Sequence, residues 1–516
     1  MAEKSEGKRI KISGGARRAA EKMTREKKIL IVGGGVAGLT CGILLCRAGV
    51  RCEIYEKNLS PGGNLTGWAR EGVYIDNCIH WLTGTREGTA LYKLWEECGA
   101  LGGSVRILRR RSLYTSFGDT GYGFGRNSIS FSRDLDRAEE QMIALSPADE
   151  GGVRRFFSAA RAVRRAAGGY FPGGRLAEAI SVLPYAKISL GELAAGFSHP
   201  LLRAAFTDFI PGAYNAAGLL LTYGNFAAGN ADLPYDGSLA MAQRMAARFR
   251  SYGGILHPGA KVTEILLRDG EATGIRLSDG EEISGDGVIL TCDPTAIFGT
   301  LLPQESMPSP LAEMYRRPKA YPVWSALQCA LTVRGGNLPF DGTVAFPIRP
   351  MRIAGGERTR LTLRAPGFRP PEGGGAPLIE CLLPIGGEEA RGWIRRRAED
   401  PARYRAEKQE FAEAVAARTE EFFPSLAGRI SPLDAWTPAT YKRYFGAESG
   451  AFMSFALTGE DPRRTLLALA FADSDRRTTP RGLRRIRLAG QWMRLPGGLP
   501  SAAVSGKKAA EWAMKL

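Results

Sequence analysis

The stretch from Lys28 to Glu56 constrains this chain more than any other part of its sequence. Ile29-Leu30-Ile31-Val32 is a short apolar run, the pattern of a strand buried on both faces. Gly33-Gly34-Gly35-Val36-Ala37-Gly38 follows at once and supplies G-x-G-x-x-G through Gly33, Gly35 and Gly38. A helical stretch from Val36 to Ala48 stops at Gly49, and Arg51-Cys52-Glu53-Ile54-Tyr55 reads as a second strand that ends in the acidic Glu56. Together these parts predict a strand–turn–helix–strand unit that seats a dinucleotide. Gly33 permits the tight turn, Gly35 lets the backbone approach a pyrophosphate, and Gly38 lets helix and strand pack closely. The helix N-terminus, with Val36 and Ala37 in its first turn, offers unpaired N–H groups and a positive dipole end to the phosphates. Glu56 can accept hydrogen bonds from the two ribose hydroxyls, and its charge opposes a 2′-phosphorylated nucleotide. The motif by itself does not separate NAD from FAD.

The rest of the composition narrows the class. The chain has 516 residues, enough for about two to four domains. No uninterrupted apolar stretch reaches the roughly eighteen residues of a membrane-spanning helix, and the polar, basic N-terminus has no apolar signal-peptide core before residue 28. The eight cysteines form no C-x-x-C pair, and only Cys78 and His80 lie close together among soft ligands. Neither a metal site nor a disulfide framework is therefore expected. Cys41, Cys46 and Cys52 read as small packing residues in a reducing, cytoplasmic setting. The net charge is +17, and residues 1–27 carry nine Lys or Arg against four Glu, which predicts a basic disordered tail. Further basic runs stand at Arg109-Arg110-Arg111, Arg395-Arg396-Arg397 and Arg484-Arg485. No aromatic-interleaved RNA motif or zinc-finger spacing accompanies them, so nucleic acid is not an expected partner. A solvated Arg-rich surface is the first reading of this charge, and peripheral attraction to an anionic membrane surface is the second.

Along the chain, Pro61-Gly62-Gly63-Asn64 falls in a turn-rich loop, and residues 68–82 predict a hairpin through Glu71-Gly72. Residues 137–170 are helical by pattern. Several short helices follow from Leu176 to Leu221, and another runs from Gly237 to Arg250. Strands are expected at 260–266, 272–277 and 282–284, joined by Asp269-Gly270 and Asp279-Gly280, with a buried strand at 287–291. Residues 301–350 read as loops with one strand at 324–333; strands recur at 359–363 and 378–382. Pro366 to Ala376 reads as a surface loop, and Pro401 to Phe422 as an amphipathic helix. The last unit is a strand at 486–489, a Gly-rich turn and a helix from Ser501 to Met514.

Three of these segments agree with the first. Pro61-Gly62-Gly63-Asn64 is similar to the paired-glycine segment that follows the dinucleotide unit of FAD-dependent oxidoreductases. The block from Val262 to Thr291, ending in Cys292-Asp293-Pro294, resembles their middle FAD-contacting block. Leu488-Ala489-Gly490-Gln491-Trp492-Met493 with Pro496-Gly497-Gly498-Leu499-Pro500 resembles their closing flavin motif. The order and spacing resemble the phytoene desaturase branch, with its carotenoid oxidoreductase, carotenoid isomerase and retinol saturase relatives, and more distantly the flavin amine oxidases. The resemblance implies an α/β fold: a discontinuous Rossmann-like FAD-binding domain (28–115, 235–300 and 480–516) and a mixed α+β substrate domain (116–234 and 301–479). It adds Lys57, Gly62, Gly63, Asn64, Lys261, Val262, Asp293, Gly490, Gln491, Gly498, Leu499 and Ala502 to the cofactor contacts. It also implies that the helix starting near Pro500 aims its N-terminus at the isoalloxazine, where its dipole stabilises a reduced flavin. Two departures stand out. Asn64 replaces the Arg or Lys that many relatives carry after the paired glycine, and the hexad Asp76-Asn77-Cys78-Ile79-His80-Trp81 stands where carotenoid desaturases often have an apolar or Gly/Pro segment.

The resemblance implies an oxidoreductase that desaturates or saturates C–C bonds in a hydrophobic, isoprenoid or carotenoid-like substrate. The electron acceptor is unknown. A flavin amine oxidase, a non-redox cis–trans isomerase and a non-catalytic FAD-binding protein are the alternatives. His80 is the candidate acid or base, because an imidazole exchanges protons near neutral pH; its competing role is a buried, hydrogen-bonded histidine. Cys78 reads first as a core thiol, and Tyr223, Tyr441 and Tyr444 as cavity-lining or packing aromatics.

Overall fold

The computed structural model describes residues 27–119, 127–167, 180–353, 356–368, 377–458 and 475–516. The basic tail expected at 1–27 lies outside them apart from Lys27, as does the loop segment 369–376.

The dinucleotide unit forms as its pattern dictates. β1 (Lys28–Val32), α1 (Val36–Arg47) and β2 (Arg51–Glu56) are followed much later by α2 (Gly237–Ser251), β3 (Ile255–Pro258) and β4 (Gly287–Leu290). The C-terminal β5 (Ile486–Leu488) and α3 (Gly498–Ala513) complete it. The sheet order is β3-β2-β1-β4-β5, and every neighbouring pair is parallel. Ile31 stands beside Ile54 on one side and Ile289 on the other, so the apolar run of β1 is the centre of the sheet. Its side chains alternate between two cores. Ile29 and Ile31 pack with α1, α2 and α3 on one face. Leu30 and Val32 pack with residues of a three-stranded meander (Val262–Arg268, Glu271–Leu277, Glu282–Ser284) on the other. This is why no polar residue interrupts the strand. The first turn of that meander has both Asp269 and Gly270 at positive φ, as a two-residue hairpin turn requires.

The second body is built on a seven-stranded sheet. Its order is Ile430–Trp436, Trp324–Val333, Leu378–Gly386, Gly356–Ala365, Gly342–Ile353, Ser112–Phe117 and Ser128–Ser132. All pairs are antiparallel except the one between Gly342–Ile353 and Ser112–Phe117. The helices Gly387–Glu399 and Pro401–Phe422 cover one face through Trp393, Phe411 and Val415. Among the described residues, five helices between Leu135 and Ala227 close around Phe131, Phe156, Phe206 and Tyr223 to form a cap.

Several expectations change. The stretch 137–170 is two helices, Leu135–Leu145 and Glu150–Ala166, because Pro147 and a Ser146–Asp149 side-chain hydrogen bond of 2.8 Å turn the chain between them. Residues 168–170 lie outside the described part. Gly342–Ile353 is a twelve-residue strand where mostly loop was expected; Pro347 and Pro350 hide its alternation, and the register with its neighbour shifts between Pro347 and Met351. The expected domain boundary at 115/116 falls inside the strand Ser112–Phe117, which joins the second sheet.

Candidate functional site

The turn between β1 and α1 depends on three glycines for three distinct reasons. Gly33 has φ +107°, and a Cβ there would stand 2.5 Å from Thr291 Oγ1. That hydroxyl donates to the carbonyls of Val32 and Gly33, tying the turn to the residue after β4. A Cβ on Gly38 would fall 2.0 Å from the Gly33 carbonyl oxygen, so α1 can approach the turn only without a side chain there. Gly35 is different: a Cβ there would meet only the backbone of Gly62 and Gly63 at ordinary contact distances of 3.8 and 3.9 Å. No side chain caps α1 and no acidic residue lies in its first turn, which leaves its amides and dipole to act on an incoming group.

Two further segments close on this turn. Gly62 donates its N–H to the Gly34 carbonyl at 2.8 Å, and Gly63 lies against the Gly35 backbone, where a Cβ would be 3.4 Å from Gly35 Cα. Asn64 donates through Nδ2 to the Phe452 carbonyl at 2.7 Å, while its buried Oδ1 has no hydrogen-bond partner. From the C-terminal segment, Gly490 (φ +130°) donates to Ser505 Oγ, and Gln491 Oε1 accepts from the Gly498 N–H. α3 starts after Gly497 at Gly498, and Gly506 brings it onto α1, a Cβ there being 2.3 Å from the Ala37 carbonyl oxygen.

Glu56 ends β2 in a buried position. Its Oε2 accepts from Gly34 N at 2.7 Å, and its Oε1 accepts from the backbone and side-chain nitrogens of Asn58 at 2.8 and 2.9 Å. Each carboxylate oxygen offers about two lone-pair sites, so Oε2 keeps one for a ligand. Lys57 donates to the Arg443 carbonyl, and burial lowers its pKa. Asp293 caps the turn at Pro294, yet burial outweighs the hydrogen bonds from Thr295 and pushes its pKa up to about 6.

These elements enclose one cavity of about 800 Å³. Gly33, Gly35, Val36, Ala37, Glu56, Lys57, Gly62, Gly63, Asn64, Lys261, Val262, Asp293, Gly490, Gln491, Gly498, Leu499 and Ala502 all line it. Gly38 acts one layer back, on the turn itself. The same cavity extends under the second sheet and the helical cap, where Trp81, Phe209, Ile210, Tyr214, Leu221, Trp324 and Leu382 form an apolar wall. Trp81 and Phe209 lie 5.2 Å apart between ring centres, and Tyr214 and Trp324 lie 6.0 Å apart.

The hexad after the hairpin is a structural joint that also reaches the cavity. The Asp76 carboxylate accepts from the N–H groups of Cys78 and Ile79, and from Ser238 N and Oγ at the start of α2. Arg364, from the second sheet, is fully enclosed and pairs with Glu380. It donates to the carbonyls of Ile79 at 2.6 Å and Asp76 at 3.1 Å. Asn77 accepts from Tyr441, which in turn accepts from Trp436 and Gln328. His80 lines the cavity; burial and then the nearby Arg364 and Arg110 hold its pKa well below the ordinary imidazole value. This shift favours the neutral imidazole, against the acid role expected of the residue. Cys78 also lines the cavity, with burial raising its thiol pKa. Tyr223 is a core residue of the cap, whereas Tyr444 reaches the cavity. Arg364 and Glu380 escaped sequence reading. Their signal was a pair of opposite charges, each inside an apolar strand pattern (Leu361 to Ala365 and Ile379 to Leu382).

The arrangement fits FAD on its own terms. The N-terminus of α1 carries no side-chain cap and that of α3 lies beside it, Gly35 keeps side-chain bulk out of the cradle, and among the described residues Glu56 and Asn64 each hold an unused acceptor. Comparison with known proteins agrees. The chain is 25% identical over 528 residues to the hydroxyneurosporene desaturase of Cereibacter sphaeroides, covering 94% of this chain and 97% of that one. It is 22% identical over 466 residues to the chloroplastic prolycopene isomerase of Daucus carota, covering 83% and 72%. Among solved structures, an oxidoreductase from Methanosarcina mazei matches with a TM-score of 0.61 at 16% identity, covering 94% and 100%. Putrescine oxidase bound to putrescine matches with a TM-score of 0.56 at 14% identity, covering 95% and 99%. A family model described as flavin containing amine oxidoreductase matches residues 36–513. The chain belongs to the flavin containing amine oxidoreductase family, and its cofactor is FAD.

Proposed function

We propose that this protein is an FAD-dependent oxidoreductase that introduces or removes C=C bonds in a hydrophobic, isoprenoid-like substrate. The observation that carries the reading is the continuity of one cavity from the glycine-lined cradle to the apolar wall formed by Trp81, Phe209, Ile210, Leu221, Trp324 and Leu382. The names of the carotenoid desaturase and isomerase relatives support it. When bound, FAD supplies the two-electron redox partner. The chain's own residues do the rest. Gly35, Gly63 and the first turn of α1 would offer backbone amides to the diphosphate, with Gly33 and Gly62 holding the turns that shape the cradle, while Glu56 would take the ribose and the first turn of α3 would lend its dipole to the flavin. The apolar wall excludes water and holds the substrate by surface burial. His80 presents a neutral imidazole at the cavity wall, placed to hydrogen-bond the substrate rather than to hold a proton.

The test is anaerobic mixing of the FAD-loaded protein with a conjugated isoprenoid polyene. Bleaching of the flavin band with a matching change in the polyene spectrum is the expected result. A geometric change in the polyene without net bleaching supports isomerisation instead, the reading favoured by the prolycopene isomerase relatives. Bleaching by alkylamines alone would replace both readings with amine oxidation.

Delivery of such a substrate supports contact with a membrane surface. Among the described residues no helix is long and apolar enough to cross a membrane, so contact would be peripheral and driven by the +17 charge. Co-sedimentation with anionic vesicles at low salt checks this; absence of binding there ends it. The eight cysteines, all free, support a reducing, cytoplasmic setting.

A further inference from the structure

Cys46 lies in the last turn of α1, and Cys52 is the second residue of β2. The chain between them is only a tight turn through Gly49. Their sulfurs stand 3.1 Å apart in a shared thiol–thiol hydrogen bond. Reaching a disulfide length of about 2.05 Å needs a shift of roughly half an ångström from each sulfur. Access differs between the two: Cys46 is partly exposed and Cys52 is buried. Their acidities diverge in the same sense. The hydrogen bond from Cys52 lowers the Cys46 pKa, while that bond, burial and neighbouring negative groups raise the pKa of Cys52. Thiolate character therefore gathers on the sulfur that solvent can reach, with a second thiol directly behind it. The other close pair, Cys329 opposite Cys381 in the second sheet, is fully buried on both sides and lacks that access.

We propose that Cys46 and Cys52 form a peroxide-responsive modification site that closes a reversible disulfide between α1 and β2. The oxidant is hydrogen peroxide. The Cys46 thiolate attacks one peroxide oxygen, the O–O bond breaks, and hydroxide leaves, giving a sulfenic acid. The Cys52 sulfur then attacks the Cys46 sulfur, its proton and the sulfenic hydroxyl leave together as water, and the S–S bond forms. In sum two thiols lose two electrons and two protons, and one peroxide becomes two waters. The bond pins the end of α1 to β2, the two elements that carry the first-turn amides and Glu56.

The test uses the full-length, FAD-loaded protein, reduced with dithiothreitol, desalted and treated with hydrogen peroxide. Acid quenching, denaturation and alkylation with N-ethylmaleimide follow, then tryptic mass spectrometry. Trypsin cuts after Arg47 and Arg51, so the two cysteines fall on separate peptides, 29–47 and 52–57. The expected result is protection of two of the eight thiols, a linked 29–47/52–57 pair in which Cys41 is alkylated, and full reversal by dithiothreitol. In Cys46→Ser, Cys52 should remain alkylatable after the same treatment. Recovery of Cys46 as the alkylated thiol or as a sulfinic acid without a linked pair would overturn the proposal, as would a bond from Cys52 to Cys41.

Discussion

Individual residues divide sharply between shaping the cradle and touching what fills it, and substitutions should separate the two. Gly38→Ala drives a Cβ into the Gly33 carbonyl, 2.0 Å away, and overpacking of this kind costs about 1–3 kcal/mol. It should lower the melting temperature and the flavin content together. Gly35→Ala meets nothing within 3.8 Å, so it should leave the melting temperature of the apoprotein unchanged and still reduce FAD binding. Asp293 gives a pH signature. Burial raises its pKa to about 6 from the ordinary carboxylate value of 3.8, so the folded state holds a proton that the unfolded state has released between those values. The stability contribution is full below pH 4 and is lost as pH rises through 6, an effect of about 3 kcal/mol at 1.4 kcal/mol per unit. Chemical denaturation of the apoprotein across pH 4–7 should show that decline, and Asp293→Asn should flatten it. His80 should add no ionisation near pH 6.5 to the kcat/KM profile; a limb there that vanishes in His80→Gln would contradict its neutral state. Gly33, Gly35, Gly38 and Glu56 were legible in the sequence because a tight turn, a close helix approach and an acid at the end of the second strand each demand one residue type at a fixed spacing. It left Arg364 and Glu380 unread, because a buried ion pair leaves no periodic signal and its partners lie on different strands.

At the level of elements, local patterning succeeded where one physical demand dominates. β1, α1 and β2 answer to burial on both faces and to a helix stop at Gly49, and the structure forms them within a residue of expectation. The meander was legible through Asp269-Gly270, whose positive φ angles are written into the residue types. Gly342–Ile353 was not, since its two prolines stand where a central strand would need N–H donors. The helix Gly387–Glu399 was hidden by its charge: on an Arg- and Glu-rich surface only Ala390 and Trp393 are buried. The joint between the two bodies is the element-scale feature that most invites a test. Arg364 links the second sheet to the backbone of the Asp76–Trp81 hexad, and breaking such a buried pair costs about 3–5 kcal/mol. Arg364→Leu should therefore lower the melting temperature by several degrees and raise the rate of proteolysis around residues 76–81. An unchanged melting temperature would show that the pair does not hold the joint.

Across the whole molecule, function depends on remote segments meeting. The first sheet takes β1 and β2 from the N-terminal region, β3 and β4 from the middle and β5 from the C-terminal region. The residues proposed to hold the cofactor follow the same three sources, while most of the apolar wall comes from the cap and the second sheet. The overall class was legible because four separated motifs each demanded the same ligand. The shape of the substrate chamber was not, because its walls are ordinary core-type residues whose arrangement is set only by tertiary packing. Titration of the apoprotein with FAD, followed by quenching of flavin fluorescence, tests this most directly when one variant is taken from the first turn, one from the paired-glycine loop and one from the C-terminal helix: Gly35→Ala, Asn64→Leu and Ala502→Leu. One FAD should bind per chain, with affinity reduced by about tenfold or more, or 1.4 kcal/mol, in every variant while the apoprotein fold is retained. Wild-type affinity in any one of the three would contradict a single cradle built from all of them.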